Sequence, residues 1–370
     1  MIIGIDGNEA NIQNRVGVNQ YAAELLIALE KLTEAGRHDW IIYLSSPPLP
    51  HLPKVREGWK YEVLPGRRFW VLRKLMPRLW STNPKPNVFL TPSHYAPPFM
   101  PMPLVLSIMD LGYIRFPLQF RKYDLYQLKY WGGWSIKIAK KILAISESTK
   151  REIIEHYPKS ANKVEVTYLG YDKDTFNPLT FKTKIQDIKK KYGIMGDYIL
   201  YLGTLKPNKN IEGLIEAYRV VKEEYPDLKL VIAGKKGWLY ETIFQKVQAL
   251  NLDGSVIFTD FIPEEDKPHL LSGAKVFANP SFWEGFGIPV LEAMAVGTPV
   301  VVSDVASLPE VVGDAGVLVT PENPENIAAG IKNALEHSET LSSKGIEQAQ
   351  KFSWANTARE TLRVLENVGS

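Results

Sequence analysis

The chain is expected to be an α/β protein with two doubly wound, parallel-stranded domains. Three observations carry that expectation. Short, near-continuously apolar runs, mostly four to six residues long, alternate with amphipathic helical patterns. About eleven such runs are present, more than a single sheet of this kind usually holds. The rhythm breaks in the polar stretch Tyr171–Met195 and restarts at Tyr198. A length of 370 residues also suits two domains at roughly 150 residues each.

In chain order, strands are expected at Ile2–Ile5, Trp40–Leu44, Val88–Leu90, Leu104–Ile108, Ile142–Ile145 and Val164–Thr167. They recur at Tyr198–Leu202, Lys229–Ala233, Val256–Phe258, Lys275–Ala278 and Val300–Val302. Each is rich in β-branched or large apolar residues and bounded by Gly, Pro, Ser or Asp, as strands buried on both faces are. Tyr21–Leu32 and Ile211–Tyr225 repeat apolar residues at helical spacing, as do Leu291–Val296 and Ile327–Leu335. The segment from Phe352 onward reads as a terminal helix. The expected division is therefore 1–172, 173–351 and a helix over 352–370.

Composition narrows the function. Hydrophobic residues make up 45% and charged residues 23%, which excludes a disordered chain or a coiled-coil rod. Cysteine is absent, so thiolate nucleophiles, Fe–S clusters and cysteine zinc sites are excluded. The six His form no H-x-x-H or H-E-x-x-H pair. No apolar run approaches the ~18 residues of a spanning helix. The opening Met1–Asp6 lacks the basic n-region of a signal peptide. The expectation is a cytoplasmic protein. Charge is uneven. Residues 51–150 hold 17 Lys and Arg against 5 Asp and Glu, although the whole chain is only +3.

Four loops carry candidate chemistry. Asn279–Glu292 runs from a strand into a helix that opens near Pro289. Gly285 and Gly287 let backbone approach a ligand, and the free N–H groups of the helix start suit an anion. Glu284 and Glu292 offer carboxylates to sugar or ribose hydroxyls; a well-turned loop with Glu292 favoured by the helix dipole is the plainer alternative. Tyr201–Asn210 also lies between strand and helix, with Gly203 at the turn and Lys206 and Lys209 nearby. It lacks P-loop spacing, and solvated surface lysines are the plainer alternative. Arg15–Tyr21, with Gly17, follows the first strand. Asp110 follows Leu104–Ile108 and is placed either for a ligand or to cap the next turn.

Trp283-Glu284-Gly285-Phe286-Gly287-Ile288-Pro289 through Glu292 resembles the E-x7-E signature of family 4 retaining glycosyltransferases. Thr298–Asp304, Leu308–Gly316, Ala144–Thr149 and Gly170-Tyr171-Asp172 resemble further landmarks of that family. The run from Gly203 to Asn210 is most similar to a mannosyltransferase-like branch. The resemblance implies a GT-B fold: two Rossmann-like domains facing across a cleft, acceptor on the N-terminal one and nucleotide-sugar on the C-terminal one. The last helix would return to the N-terminal domain.

By motif match, the resemblance implies catalytic roles for Glu284, Lys209 and Asp110. It implies donor binding by Gly17, Gly203, Thr204, Lys206, Lys209, Gly234, Phe261, Glu284, Gly285, Phe286, Gly287, Ile288 and Glu292. Glu292 would hold the ribose, Glu284 and the Gly285–Ile288 backbone the donor sugar, and Lys209 the diphosphate. No metal and no other cofactor is implied. Met109 stands where the family often has His, and Thr204 and Asn208 stand at the two positions where, depending on the branch, the family usually has an Arg. Asp172-Lys173-Asp174 has the D-x-D form of a different, metal-dependent class, but it falls in the expected linker and is read as a solvated loop.

The implied activity is transfer of a hexose, mannose from GDP-mannose first, to a glycan or lipid-linked hydroxyl. A UDP-sugar-dependent transferase and a non-catalytic nucleotide-sugar-binding subunit are the alternatives. In the basic region, Phe69, Leu72, Leu75, Met76 and Leu79 share one helical face beside Arg68, Arg73 and Lys74. That face suits either an anionic membrane surface or the domain's own core, with Pro77 expected to kink or end the helix. Nucleic acid is not an expected partner, since no recognition motif accompanies the charge.

Overall fold

The computed structural model describes residues 1–15, 17–32, 36–178 and 184–370. Val16 of the first loop and Lys182 of the charged run lie outside them. The chain divides into two compact units, Met1–Gly170 with Ser353–Ser370, and Tyr171–Phe352.

The N-terminal unit is built on seven strands: β1 (Ile2–Asp6), β2 (Asp39–Leu44), β3 (Trp59–Val63), β4 (Val88–Thr91), β5 (Leu104–Ile108), β6 (Lys141–Ala144) and β7 (Val164–Val166). Their order is β3-β2-β1-β4-β5-β6-β7, and every pairing is parallel. Strands β4 and β5 are buried along their whole length, which is why they read as unbroken apolar runs. The helix Val18–Lys31 buries Tyr21, Leu25, Leu26 and Leu29, one stripe at helical spacing.

The terminal helix Trp354–Gly369 belongs to this unit. Ser353 caps it by accepting the Asn356 N–H at 3.2 Å. Thr357 Oγ1 donates to the Tyr168 carbonyl at 2.5 Å, and Arg363 pairs with Glu165 at 2.6 Å. Its apolar face, with Leu362 and Leu365, is buried. At Gly170 any Cβ would stand 2.1 Å from the Trp354 nitrogen, so only glycine lets the chain pass there.

The second unit holds β8 (Tyr198–Leu202), β9 (Lys229–Ala233), β10 (Val256–Asp260), β11 (Val276–Asn279), β12 (Val300–Ser303) and β13 (Gly316–Val319). Their order is β10-β9-β8-β11-β12-β13, again parallel throughout. Helices Ile211–Glu224 and Pro324–Glu336 cover it with Leu214, Ile215, Tyr218, Ile327 and Ile331.

Three local expectations change. Strands β3 and β13 are additional to the expected runs, and both are edge strands whose residues are partly exposed. In β3, charged Lys60 and Glu62 interrupt the apolar residues, as an edge strand allows, whereas β13 is apolar but only four residues long. The described end of the charged linker run forms the helix Ile185–Lys191. Pro77 does not end its helix, which runs on to Ser81. The preceding turn Val71–Leu75 is wide, with Met76 N–H bonded to Val71 O five residues back, and so accommodates the proline ring. Of the apolar positions expected on one face, Leu75 and Leu79 sit in the unit's own core, Leu72 and Met76 are partly exposed, and Phe69 is 42% exposed.

Leu365→Ala is expected to cost about 2–5 kcal/mol. Urea unfolding followed by tryptophan fluorescence should show it lowering the transition of the N-terminal unit while that of the second unit stays in place.

Candidate active site

In the second sheet, β8 and β11 lie side by side, but the chain leaves them in opposite directions along the sheet. Loops diverge at such a switch point and open a crevice beyond the carboxyl ends of the strands. The two loops here are Gly203–Asn210 after β8 and Pro280–Gly287 after β11.

Four contacts join these loops. Phe282 N–H donates to the Asn208 carbonyl at 2.9 Å. Asn210 Nδ2 donates to the carbonyls of Pro280 at 3.0 Å and Pro321 at 2.6 Å. Asn208 Nδ2 reaches the Trp283 carbonyl at 3.5 Å, at the limit of a hydrogen bond. Lys209 Nζ lies 2.5 Å from Glu284 Oε1. Asn210 is buried at a left-handed φ of 53°, where asparagine is well tolerated. It heads the helix that follows.

Only 15% of each side chain in the Lys209–Glu284 pair is exposed. Burial pushes the Glu284 carboxyl up, but the charge and hydrogen bond of Lys209, with bonds from Ser281 Oγ at 3.0 Å and Asn279 Nδ2 at 3.3 Å, outweigh it. The carboxyl is held below its usual range and is ionised at neutral pH. Ser307 Oγ donates to the Glu284 carbonyl at 2.9 Å, and Ser303 Oγ to that of Ser281 at 2.5 Å. The loop is thus fixed from both sides. Asn208 Oδ1 is buried and has no partner, so a ligand hydroxyl or N–H placed there would satisfy it.

Two glycines shape the floor. Gly234 has φ 144°, and a Cβ on it would stand 1.9 Å from the Gly203 carbonyl oxygen. The loops after β8 and β9 therefore meet backbone to backbone. Gly287, at φ 98°, turns the chain into the helix Ile288–Ala295, whose first-turn N–H groups have no intrahelical carbonyl to bond. Pro289 sits in that first turn. Glu292 is buried one turn further on.

The other expected residues distribute as follows. Thr204, Gly285 and Ile288 are partly exposed in or beside the two loops. Phe286 is buried, its ring edge-on to Phe352 at 5.7 Å. Lys206 Nζ lies 5.3 Å from the Trp238 ring centroid. Phe261 is 46% exposed and follows the edge strand β10, away from the switch point. Gly17 and Asp110 belong to the N-terminal unit. Gly17 heads the first helix at φ 54°. Asp110 Oδ1 accepts the Gly112 N–H at 2.8 Å, the capping role that its position also allowed. Its loop is held by Thr149 Oγ1 on the Met109 carbonyl, His94 Nε2 on the Asp110 carbonyl and Glu152 Oε2 on the Leu111 N–H. Asp172 likewise caps its own turn through the Asp174 and Thr175 N–H groups. The residues that sequence reasoning missed are the positioning ones, Asn210, Asn279, Ser281, Ser303 and Ser307; among these, only the asparagine before a helix gave a signal.

Two family descriptions match the chain. "Glycosyl transferases group 1" matches residues 184–352 and "Glycosyltransferase Family 4" residues 16–175. O-antigen chain mannosyltransferase B of Escherichia coli is 33% identical over 310 residues, covering 82% of this chain and 78% of that protein. The chain belongs to glycosyltransferase family 4. It is therefore a glycosyltransferase. The serotype-specific mannosyltransferase WbdA of Escherichia coli is 34% identical over 230 residues, 60% of this chain but only 28% of its own length. Among solved structures, sucrose-phosphate synthase from Thermosynechococcus elongatus superimposes with a TM-score of 0.77 at 19% identity, covering 99% of this chain and 98% of its own. Anabaena HepE, solved with UDP and glucose, gives 0.75 at 20%, covering 99% of both chains. These likenesses establish the GT-B fold of this glycosyltransferase.

Lys209→Met leaves a buried carboxylate without its cation, at an expected cost of about 3–5 kcal/mol. Glu284→Gln in the same background should return part of that loss in urea melts at pH 7. Because the folded-state value of Glu284 is depressed, its contribution is present above the ordinary 4.5 and is lost as pH falls through the lowered value. Wild-type stability relative to Glu284→Gln should accordingly be level at neutral pH and shrink only below pH 4.5.

Proposed function

We propose that this glycosyltransferase moves a mannosyl residue from GDP-mannose to a hydroxyl of a glycan or lipid-linked acceptor, with retention at the anomeric carbon and without a metal. The observation that carries the reading is the buried Lys209–Glu284 pair at the switch point of the second sheet, beside the start of the helix Ile288–Ala295. The mannosyltransferase names of its relatives support the sugar. A UDP-sugar donor remains the second choice, because the same loop chemistry serves any nucleoside diphosphate.

The acceptor oxygen bonds to the anomeric carbon as the bond to the diphosphate breaks, and a diphosphate oxygen on the same face takes the acceptor proton. Charge develops on the leaving diphosphate. Lys209 and the N–H groups of the first helical turn supply positive charge there. Glu284, kept ionised by Lys209, accepts hydrogen bonds from hydroxyls of the donor sugar. Glu292 takes the ribose hydroxyls. Asp110 is given no step, because its Oδ1 is occupied in capping.

A thermal-shift panel of GDP, UDP, ADP and their mannose or glucose conjugates, with and without EDTA, tests this. A ligand that binds the native state raises the midpoint by mass action. GDP and GDP-mannose should do so, with no change on adding EDTA. Glu292→Ala should weaken GDP binding roughly tenfold, the value of a charge-assisted hydrogen bond. The carbon–proton coupling at the anomeric centre of the product should report an α-linkage. A shift only with UDP ligands would replace the donor; no shift with any would remove the assignment.

A further inference from the structure

The loop between β4 and β5 contains Pro97-Pro98-Phe99-Met100-Pro101-Met102-Pro103. Its prolines have no backbone N–H to keep hydrated. Several of its carbonyls are spent as well. Trp131 Nε1 donates to the Ala96 carbonyl at 2.6 Å, Trp134 Nε1 to that of Pro98 at 2.9 Å, and Trp80 Nε1 to that of Phe99 at 3.2 Å. The Phe89 N–H takes the Pro103 carbonyl at 2.9 Å, and the Ala96 N–H is bound to Ser135 Oγ at 3.1 Å. A surface loop usually keeps its polar backbone for water. This one pairs it within the unit and leaves the Phe99 ring outside, 63% exposed. We infer that this loop, with the indoles of Trp80 and Trp134 that hold it, is a rigid anchor for the headgroup region of an anionic bilayer. The anchor lies wholly within the N-terminal unit and stands without the donor assignment; together with that reading it selects the lipid-linked acceptor.

The apolar surface extends beyond the tip. Trp80 and Trp134 are 54% and 44% exposed although the N–H of each is bonded. An indole at a membrane surface ordinarily needs water or a headgroup for its N–H. These two do not, so immersing their rings leaves no polar group unsatisfied. Trp134 lies in the helical run 122–138, four residues after Tyr130 and eight after Tyr126. Both tyrosines are exposed, and their rings stand 4.5 Å apart. The three rings form one stripe on one face, and the Pro98 carbonyl joins that stripe to Phe99.

The segments that carry this surface have one sign of charge. Residues 64–87 hold six Lys and Arg and no acid, and residues 115–140 hold six against Asp124 alone. Arg78 is neutralised by Glu62. Lys85 Nζ stands 5.4 Å from the Trp80 ring centroid and Lys129 Nζ 6.0 Å from that of Tyr130, so both cations border the rings. Lys137, one turn after Trp134, is exposed. Trp and Tyr beside Lys and Arg is the composition that the membrane–water interface selects, and anionic headgroups attract the bases. Lysine is depleted from protein–protein interfaces, and the Phe99 side chain offers a nucleic acid no polar group to pair with.

Cosedimentation with vesicles tests the inference. The wild-type protein should pellet with vesicles of equal parts phosphatidylcholine and phosphatidylglycerol, and about tenfold more weakly with phosphatidylcholine alone. Phe99→Ser should weaken binding to the mixed vesicles about tenfold. Lys85→Glu with Lys137→Glu should do so by about tenfold or more while leaving the tip intact. All three positions are exposed, so thermal midpoints should match the wild type and the nucleotide-induced shift should persist. Should Phe99→Ser lower the midpoint, the charge variant decides. Wild-type protein that stays in the supernatant overturns the inference, whether it then binds heparin or self-associates in sedimentation velocity; so does vesicle binding that neither variant changes. Vesicle binding with no nucleotide shift leaves the anchor and refutes the donor assignment, and a nucleotide shift with no vesicle binding does the reverse.

Discussion

The buried ion pair between Lys209 and Glu284 is the contact around which the second unit's loops are arranged. Two charges taken out of water are expensive, and a pair of this kind gives little net stability by itself. It persists because its surroundings complete it: Ser281 and Asn279 donate to the same carboxylate oxygen, and Asn210 and the Phe282 N–H lock the two loops together. The result is a carboxylate and an ammonium already in place, with their desolvation incurred on folding. In the proposed reaction a diphosphate draws on the lysine, and the sugar hydroxyls on the glutamate. Preorganised charge of that sort acts on a transition state without rearrangement at the moment of reaction.

Both sheets repeat one solution. Each is parallel, each reverses its direction of growth once, and each places its acidic or cationic side chains on loops leaving the strands at that reversal. The two switch points differ in side chains. The second unit presents a neutralised pair beside helical N–H groups, suited to an anion. The N-terminal unit presents Asp6 and Glu9 together with Arg67, Arg68 and aromatic rings. That difference follows from side chains alone, since the backbone frameworks are alike.

The central strands and the glycine-glutamate loop were legible in the sequence because burial on both faces forces continuous apolar runs and a close backbone approach forces glycine. The edge strands β3 and β13 were not: charged residues interrupt Trp59-Lys60-Tyr61-Glu62-Val63, and Gly316–Val319 is a short run of four opening on a glycine. The helical spacing around Pro77 was legible, but its continuation to Ser81 was not, because a wide turn, which no residue pattern announces, absorbs the proline. The motif singled out Glu284, Lys209 and Glu292, and the structure brings the first two into one buried pair. The residues that hold them, Asn279, Ser281, Ser303 and Ser307, were not legible, for their partners are distant backbone and side-chain atoms that only the fold brings near. Leu75 and Leu79 show how one helical face can divide: these two are buried in the unit's own core while Phe69 on the same face stays exposed.

The most direct measurement is a crystal structure of the protein soaked or grown with GDP-mannose. The account predicts the diphosphate within hydrogen-bonding distance of Lys209 Nζ and the N–H groups at the start of Ile288–Ala295, with Glu284 on the sugar hydroxyls and Glu292 on the ribose. Nucleotide density elsewhere, with the Lys209–Glu284 pair undisturbed and untouched, would contradict it.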